Sequence, residues 1–361
     1  MMPPKRTTIL CPVDQVLEGV PGYLLYGIPY FETIGSQMGL HLDVKVLYYR
    51  RGGYSPWTLI KTNMVLAYRI ITTRHDVLYN MIDPDYLFLL TLFRKVGLYR
   101  KKMYAWKYTV IGRTDRWWVN LLKRHFYNSF DRLFMLTASH VKKSRDAGLV
   151  HPDKFQYMKW GRDLAYVDGI DVPQDPPFTF ITTGIAYRDF ETLCQAFAKV
   201  KGARLKIIAV KAWGDYDYAS YLDRISDENV QVVYVDNSKD RKGVVRYVYE
   251  EMKKSHAALS ICQDVPFGVG YTQILDSLAC SLPVITTYNV DSPIDVDQQE
   301  VGVSVPAYDV DRLAAVMQRL VDDQAFWSSC RQHARRLIAT DYDIHQVARQ
   351  VLSAMFLKTE G

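Results

Sequence analysis

The chain has 361 residues, 48% hydrophobic and 13% aromatic, with 45 Lys and Arg against 39 Asp and Glu for a formal net charge of +6. At roughly 150 residues per domain this is enough for two cores, and the composition excludes disordered, collagen-like and coiled-coil chains. The longest mainly apolar run, Tyr86 to Phe93, falls far short of the ~20 residues that span a bilayer.

The first residues pass through Pro3, Pro4, Lys5 and Arg6 into Thr7-Thr8-Ile9-Leu10-Cys11 with no apolar segment before them. That pattern predicts no secretory signal and a cytoplasmic protein. The β-branched run at 7–11 predicts a first strand, 22–38 a helix, 44–48 a strand, 57–72 a helix and 77–79 a strand. Residues 86–97 read as helical, 102–110 as extended, 116–130 as helical and 132–137 as extended. Three prolines and several aspartates without periodicity mark 163–177 as a linker. Beyond it the alternation restarts, with strands at 178–183, 205–210, 230–235, 257–261 and 283–287. Helices are expected at 189–200, 216–226, 243–254, 271–280, 309–321, 323–339 and 344–357. Two α/β halves with parallel sheets follow from this order, and such sheets bind ligands beyond the carboxyl ends of their strands.

Charge divides the chain as well. Residues 1–167 carry 25 Lys and Arg against 12 Asp and Glu, and residues 168–361 carry 20 against 27. In the basic half the charge is interleaved with aromatics, as in Arg100-Lys101-Lys102-Met103-Tyr104-Ala105-Trp106-Lys107-Tyr108 and Arg116-Trp117-Trp118. Three readings are open: a solvated face over an aromatic core, an anionic membrane surface, where each basic residue contributes ~1 kcal/mol, or a nucleic-acid face. The five cysteines, Cys11, Cys194, Cys262, Cys280 and Cys330, include no CxxC pair. They read as reduced, buried side chains.

The segment richest in chemistry is Ile261-Cys262-Gln263-Asp264-Val265-Pro266-Phe267-Gly268-Val269-Gly270-Tyr271-Thr272, which leads into the 271–280 helix. A strand ending in a glycine loop that opens a helix leaves amides at Gly268, Gly270 and Tyr271 free to hold a phosphate. Thr272 and Asp276 share a helix face. Asp276 reads either as an acceptor for two vicinal ribose hydroxyls or as an exposed acid favoured by the helix dipole.

Pro266-Phe267-Gly268 followed by Asp276-Ser277-Leu278-Ala279-Cys280-Ser281-Leu282-Pro283-Val284-Ile285 resembles the EPFG…EAxAxGxPVI signature of GT-B glycosyltransferases, in particular the retaining family GT4. Other pieces fall in the family's order. Gly19-Val20-Pro21-Gly22 resembles its glycine loop, and Met38-Gly39-Leu40-His41-Leu42-Asp43-Val44 its second strand. Trp160-Gly161-Arg162-Asp163 resembles the end of its first domain, and Gly184-Ile185-Ala186-Tyr187-Arg188-Asp189 the opening of its donor domain. The resemblance implies two Rossmann-like domains facing across a cleft: 1–163 for the acceptor, with 344–361 packing back on it, and 164–343 for the nucleotide sugar. It implies retention of anomeric configuration, no metal, and no cofactor beyond the sugar nucleotide.

On this pattern Arg188 and Lys211 are the diphosphate clamp, and Asp276 fixes the ribose. Gly184, Val235, Asp236, Gln263, Asp264, Phe267, Gly268, Gly270, Tyr271 and Thr272 surround the donor. Gly19, Gly22, Trp106 and Tyr108 are acceptor-side candidates. The sequence departs from the family where Gly268 stands eight residues before Asp276 in place of a glutamate, leaving Asp264 or Gln263 for the sugar, and where Ile185 replaces an arginine. Away from the family pattern, Arg188 reads as a surface ion pair with Asp189 or Glu191.

Five Asp-x-Asp pairs, including Asp215/Asp217, Asp295/Asp297 and Asp309/Asp311, read as caps rather than metal ligands. No HExxH, GxGxxG, P-loop or nucleophile-elbow motif occurs. The expected protein is a glycosyltransferase acting on a glycan or lipid-linked acceptor, in peripheral contact with an anionic membrane through its basic half, with no nucleic-acid partner. A non-catalytic nucleotide-sugar-binding scaffold is the alternative, and a nucleic-acid-binding protein a more distant one.

Overall fold

A computed structural model of the chain describes residues 6–14, 21, 26–50, 55–81, 84–174, 177–236 and 240–357. It separates into two compact units, Met1–Gly161 with Ile344–Gly361, and Arg162–Asp343. Each is a six-stranded parallel sheet covered by helices.

The N-terminal unit runs β1 (Thr7–Asp14), α1 (Phe31–Gln37), β2 (Leu42–Tyr49), α2 (Pro56–Thr72), β3 (Val77–Asn80), α3 (Phe88–Lys95), β4 (Lys102–Trp106), α4 (Trp117–Asn128), β5 (Arg132–Met135), α5 (Ala138–Asp146) and β6 (Phe155–Tyr157). Its sheet order is β2-β1-β3-β4-β5-β6. Right-handed crossovers send α1 to one face of this sheet, and α2, α3 and α4, all made while the chain steps the other way, to the opposite face. The last helix of the chain, α13 (Ile344–Phe356), packs with α1. Gly27 adopts a left-handed φ of 81° against Ala348 of α13, where a side chain would not fit. The expected helix at 22–38 is shorter than its pattern, since a 3-10 turn at Ile28–Tyr30 precedes α1 and residues 22–25 lie outside the described residues.

The C-terminal unit runs α6 (Leu164–Asp168), β7 (Phe178–Thr183), α7 (Phe190–Phe197), β8 (Ala203–Ala209), the two-stranded ribbon β9 (Ala212–Trp213) and β10 (Tyr216–Asp217), α8 (Ala219–Leu222) and β11 (Val230–Tyr234). It continues with α9 (Arg241–Lys254), β12 (Ala257–Ser260), α10 (Tyr271–Ala279), β13 (Val284–Thr287), β14 (Gly302–Val305), α11 (Val310–Asp322) and α12 (Gln324–Asp341). The sheet order β11-β8-β7-β12-β13-β14 is that of a complete doubly wound dinucleotide-type fold, with its switch point between β7 and β12. The apolar faces of α7 and α11 close over Phe180, Leu205, Ile207 and Leu259 of the sheet.

Several acidic residues have local work. Asp189, Asp240, Asp309 and Asp323 accept backbone N–H bonds at the starts of α7, α9, α11 and α12. Asp217 and Asp295 accept from Ser220 and Gln298 in the same way. These caps account for Asp-x-Asp pairs that otherwise resemble metal ligands. The expected helix at 216–226 breaks into the ribbon and the short α8, because Gly214-Asp215 turns the chain between Trp213 and Tyr216.

Glu251 of α9 is buried and pairs with Lys206 of β8 and Lys254. Burial works against its carboxylate, but the two ammonium groups outweigh burial and hold the carboxyl below its usual range. The stability it contributes is therefore present at neutral pH and is lost as the pH falls through that depressed pKa. Glu251→Gln is expected to cost about 1–3 kcal/mol at neutral pH, by leaving Lys206 short of its partner. In urea titrations its difference from the parent should shrink in acid, below the ordinary carboxylate range.

Candidate functional site

The carboxyl ends of β7 and β12 flank the switch point of the C-terminal sheet, and the two loops that leave them are tied together. Arg188 and Cys262 form an antiparallel bridge. Asp189 N–H donates to the Ile261 carbonyl at 3.1 Å, and Gln263 N–H donates to the Tyr187 carbonyl at 2.9 Å. The Tyr218 hydroxyl accepts from the Arg188 N–H at 3.1 Å.

This frame fixes the Arg188 side chain, which is only 6% exposed. Its Nη1 donates to Ser260 Oγ at 3.2 Å and to Cys262 Sγ at 2.9 Å. Its Nε is buried and has no hydrogen-bond partner among the described residues, and none of the described carboxylates pairs with the guanidinium. The alternative of a surface ion pair with Asp189 or Glu191 is thereby overturned, since Asp189 instead caps α7. Two glycines make room for the guanidinium. Gly184, at φ 125°, lies against it so closely that a Cβ would collide with Nη2, and a Cβ on Gly270 would collide with Ser260 Oγ.

Gly270 is also the N-cap of α10, in the left-handed conformation at φ 77°. The first amides of α10 have no partner within the helix, and they begin beside the buried cation. Gly184, Arg188 and Gly270 are thus brought together. Tyr271 and Gln273 anchor the helix from its inner side, with Gln273 Nε2 donating to the Leu259 carbonyl at 2.9 Å. Thr272 is exposed, and Gly268 packs against the Asp291 carbonyl, where a Cβ would come within 2.9 Å.

An aromatic wall adjoins the loop. Tyr187, in the left-handed region at φ 54°, sets its ring edge-on to Trp213 at 4.6 Å and to Phe267 at 5.2 Å. Trp213 stacks on Tyr216, and Tyr216 on Tyr218. A bulky residue held at positive φ is strained by about 1–3 kcal/mol, a cost that clusters at binding sites. The sequence reading found only Phe267 of this group. The signal it passed over was Trp213-Gly214-Asp215-Tyr216, a tight turn between two aromatics.

Asp276 departs from the reading of an exposed acid, because its Oδ1 accepts from Arg162 Nε at 2.6 Å and from the Tyr249 hydroxyl at 2.6 Å. Arg162 is wholly buried, and its Nη2 also donates to the Thr272 carbonyl at 2.9 Å. Burial holds the Asp276 carboxyl above its usual range, and the guanidinium and the tyrosine hydroxyl offset only part of that rise.

Lys211 is exposed with its Nζ 5.6 Å from the Tyr234 ring centre. Val235 N–H donates to the Ala209 carbonyl, and Asp236 is exposed. Gln263 is half-buried, and Asp264 is exposed with its N–H on the Tyr308 hydroxyl at 3.2 Å.

On the acceptor side, Gly19 and Gly22 lie outside the described residues. Trp106 is corrected: it is fully buried, donates to the Tyr79 hydroxyl at 2.7 Å and packs on Tyr26 and Phe134. It is core, because β4 is covered on both faces of the sheet. Tyr108 is half-buried and bonded to the Tyr26 hydroxyl and the Met81 carbonyl.

Two substitutions test this geometry. Gly184→Ala should lower the melting temperature, corresponding to about 1–3 kcal/mol of lost stability, as the new methyl displaces the guanidinium from an already unfavourable φ. Arg162→Met strands Asp276 in the interior and should cost about 3–5 kcal/mol in denaturant titration.

No known family model matches the chain, and no curated protein matches it in sequence. Solved structures do. A glycosyltransferase from Rickettsia africae superposes with a TM-score of 0.69 at 13% identity, over 97% of this chain and 98% of that one. Sucrose-phosphate synthase from Thermosynechococcus elongatus gives 0.67 at 15% identity, over 97% and 98%. HepE from Anabaena, solved in complex with UDP, gives 0.66 at 13% identity, over 97% and 99%. At these identities the likeness shows the fold, which is GT-B, with two Rossmann-like α/β units.

Proposed function

We propose that the protein is a glycosyltransferase that moves a sugar from a nucleotide diphosphate to a glycan or lipid-linked acceptor, with retention and without a metal ion. The observation that carries this reading is Arg188. It is a nearly buried guanidinium with no carboxylate partner among the described residues and one unsatisfied donor, set beside the Gly270 start of α10 at the sheet's switch point. A buried cation in that state needs an anion, and a helix start supplies further donors for a phosphate.

In the transfer, the anomeric C–O bond to the diphosphate breaks and its electron pair passes to the phosphate oxygen. An acceptor hydroxyl oxygen forms the new bond to the anomeric carbon. Arg188 and the first amides of α10 take up the charge growing on the leaving group, and one such preorganised donor contributes ~3 kcal/mol in the transition state. With retention, the acceptor's proton passes to a phosphate oxygen of the leaving group on the same face. The wall of Tyr187, Trp213 and Phe267 offers flat apolar surface to a base or sugar. HepE from Anabaena is solved with UDP, which makes uridine nucleotides the first to try.

A second reading, a nucleotide-sugar-binding scaffold without turnover, draws on Gly268 where the family carries a glutamate and on the committed Oδ1 of Asp276. Turnover separates the two. UDP should raise the melting temperature, and slow hydrolysis of one sugar nucleotide from a panel should be seen, unchanged by EDTA. Arg188→Ala should reduce that rate on the order of a hundredfold. A thermal shift with no hydrolysis of any sugar nucleotide selects the scaffold, and no shift with any nucleoside diphosphate sinks both.

A further inference from the structure

Most of the large apolar side chains exposed among the described residues lie on three consecutive helices of the N-terminal unit. On α2, Trp57, Ile60, Met64, Tyr68 and Ile71 recur at helical spacing and point outward, with Trp57 81% and Tyr68 70% exposed. The same helix buries Leu66, Ala67 and Ile70 on its other side. It therefore has two apolar faces, and the sheet covers only one. On α4, Trp117, at 75%, Trp118, Leu121 and Leu122 are exposed in the same manner, and Val96 and Leu98 follow α3.

The three helices form one surface. They share a face of the sheet by the handedness of their crossovers, and α2 touches α3. Leu89 N–H donates to Asn63 Oδ1 between α2 and the start of α3. Phe88 of α3 stacks on Phe126 of α4 with centroids 5.8 Å apart. A shallow pocket lined by Arg94, Lys95, Leu121, Arg124 and His125 joins α3 to α4.

The charge on this surface is predominantly positive, its exposed acids being Asp115 and Asp85 of the 3-10 turn that packs on α2 and α3. From Phe88 to Asn128 there are ten Lys and Arg and a single acid, Asp115. Lys95, Arg100, Lys101, Arg116 and Arg124 are exposed at its edges, and neither α2 nor α4 contains an acid.

We propose that the outward face of α2, α3 and α4 docks on an anionic lipid bilayer. Exposed tryptophans, a tyrosine and aliphatic residues rimmed by Lys and Arg, with no helix among the described residues long and apolar enough to cross a membrane, are the makeup of an interfacial surface. Charge complementarity singles out this occupant. A second copy of the chain would set basic rims opposite one another. A nucleic acid would leave Ile60, Met64, Leu121 and Leu122 without flat faces for its bases or charge for its phosphates. The proposal does not depend on the transferase reading, because every residue it uses belongs to the N-terminal unit, whereas that reading is carried by Arg188 of the C-terminal unit.

Co-sedimentation of the full chain tests it, with vesicles of phosphatidylglycerol and phosphatidylcholine against phosphatidylcholine alone. The protein is expected to pellet with the anionic vesicles at low salt, to stay in solution with the neutral ones, and to be partly released by high salt. The triple variant Trp57→Ala, Trp117→Ala, Trp118→Ala should lose at least tenfold in bound fraction. Arg116→Glu with Arg124→Glu should do likewise. Both should keep the parent's melting temperature and its shift with UDP, since these side chains are exposed and outside the donor site. Equal binding to both vesicle types, or binding to neither, overturns the proposal. So does a dimer in light scattering that the tryptophan variant dissolves, or salt-sensitive binding of a single-stranded RNA that competes with the vesicles. Loss of the UDP shift in the parent protein with vesicle binding intact would count against the transferase reading alone.

Discussion

Taking a guanidinium out of water costs several kcal/mol unless a counter-charge or a full set of acceptors replaces the solvent. The C-terminal unit carries that cost at Arg188. Its sheet order brings the ends of β7 and β12 side by side, and the bridge between Arg188 and Cys262 locks the two loops together. A serine hydroxyl and a cysteine sulfur satisfy one nitrogen, and none of the described carboxylates completes the shell. Much of the local architecture follows from keeping that cation in place: the bare backbone of Gly184 beneath it, the left-handed Gly270 beside it, and the strained Tyr187 one residue before it. Among the described residues, a cation short of partners thus stands next to helix amides that have no partner within the helix, and it is on this pairing that the proposed phosphate site rests.

The helix that presents those amides is held from behind by a second buried guanidinium. Arg162 joins Asp276 and the Thr272 carbonyl, and Tyr249 of α9 reaches the same carboxylate oxygen. Such a network adds little net stability over apolar packing of the same volume. It does fix where α10 begins relative to α9 and to the Arg162 backbone, which is itself bonded to Tyr342. The two arginines thus divide the labour: Arg162 is fully matched by its own chain and holds the helix, whereas Arg188 is left open at the helix's start.

In the N-terminal unit the corresponding tension is apolar. The crossovers place α2, α3 and α4 on one face of the sheet, and the sheet can bury only one side of each helix. The opposite side of α2 and α4 carries tryptophan, tyrosine and aliphatic residues where a solvated helix would carry acids and amides. Ten of the 25 Lys and Arg of residues 1–167 fall between Phe88 and Asn128, in and around α3 and α4. Solvated charge over an aromatic core accounts for Trp106, which is buried, and does not account for Trp57 or Trp117, which are not.

The amino-acid sequence by itself determined most of the alternation of strands and helices in both halves and the two stretches that converge at Arg188, whereas the 163–177 stretch that reads as a linker begins with the helix α6, capped by Asp163 and buried at Val167. Helical and strand periodicities are local, and the glycines of Gly184-Ile185-Ala186-Tyr187-Arg188 and of the 268–270 loop stand within a few residues of the groups they serve. Elements with only a faint local pattern were not legible. The three-residue β6, the four-residue β14 and the polar α5 owe their form to neighbouring strands and to packing. Only the tertiary structure decided that Asp276 faces Arg162, 114 residues away in the chain, that Ser260 and Cys262 receive Arg188, and that Lys211 lies over Tyr234. It also decided which aromatics of the basic half are core and which are surface. Periodicity shows that a segment has an apolar side, but whether that side meets a sheet or water depends on the order in which distant strands assemble.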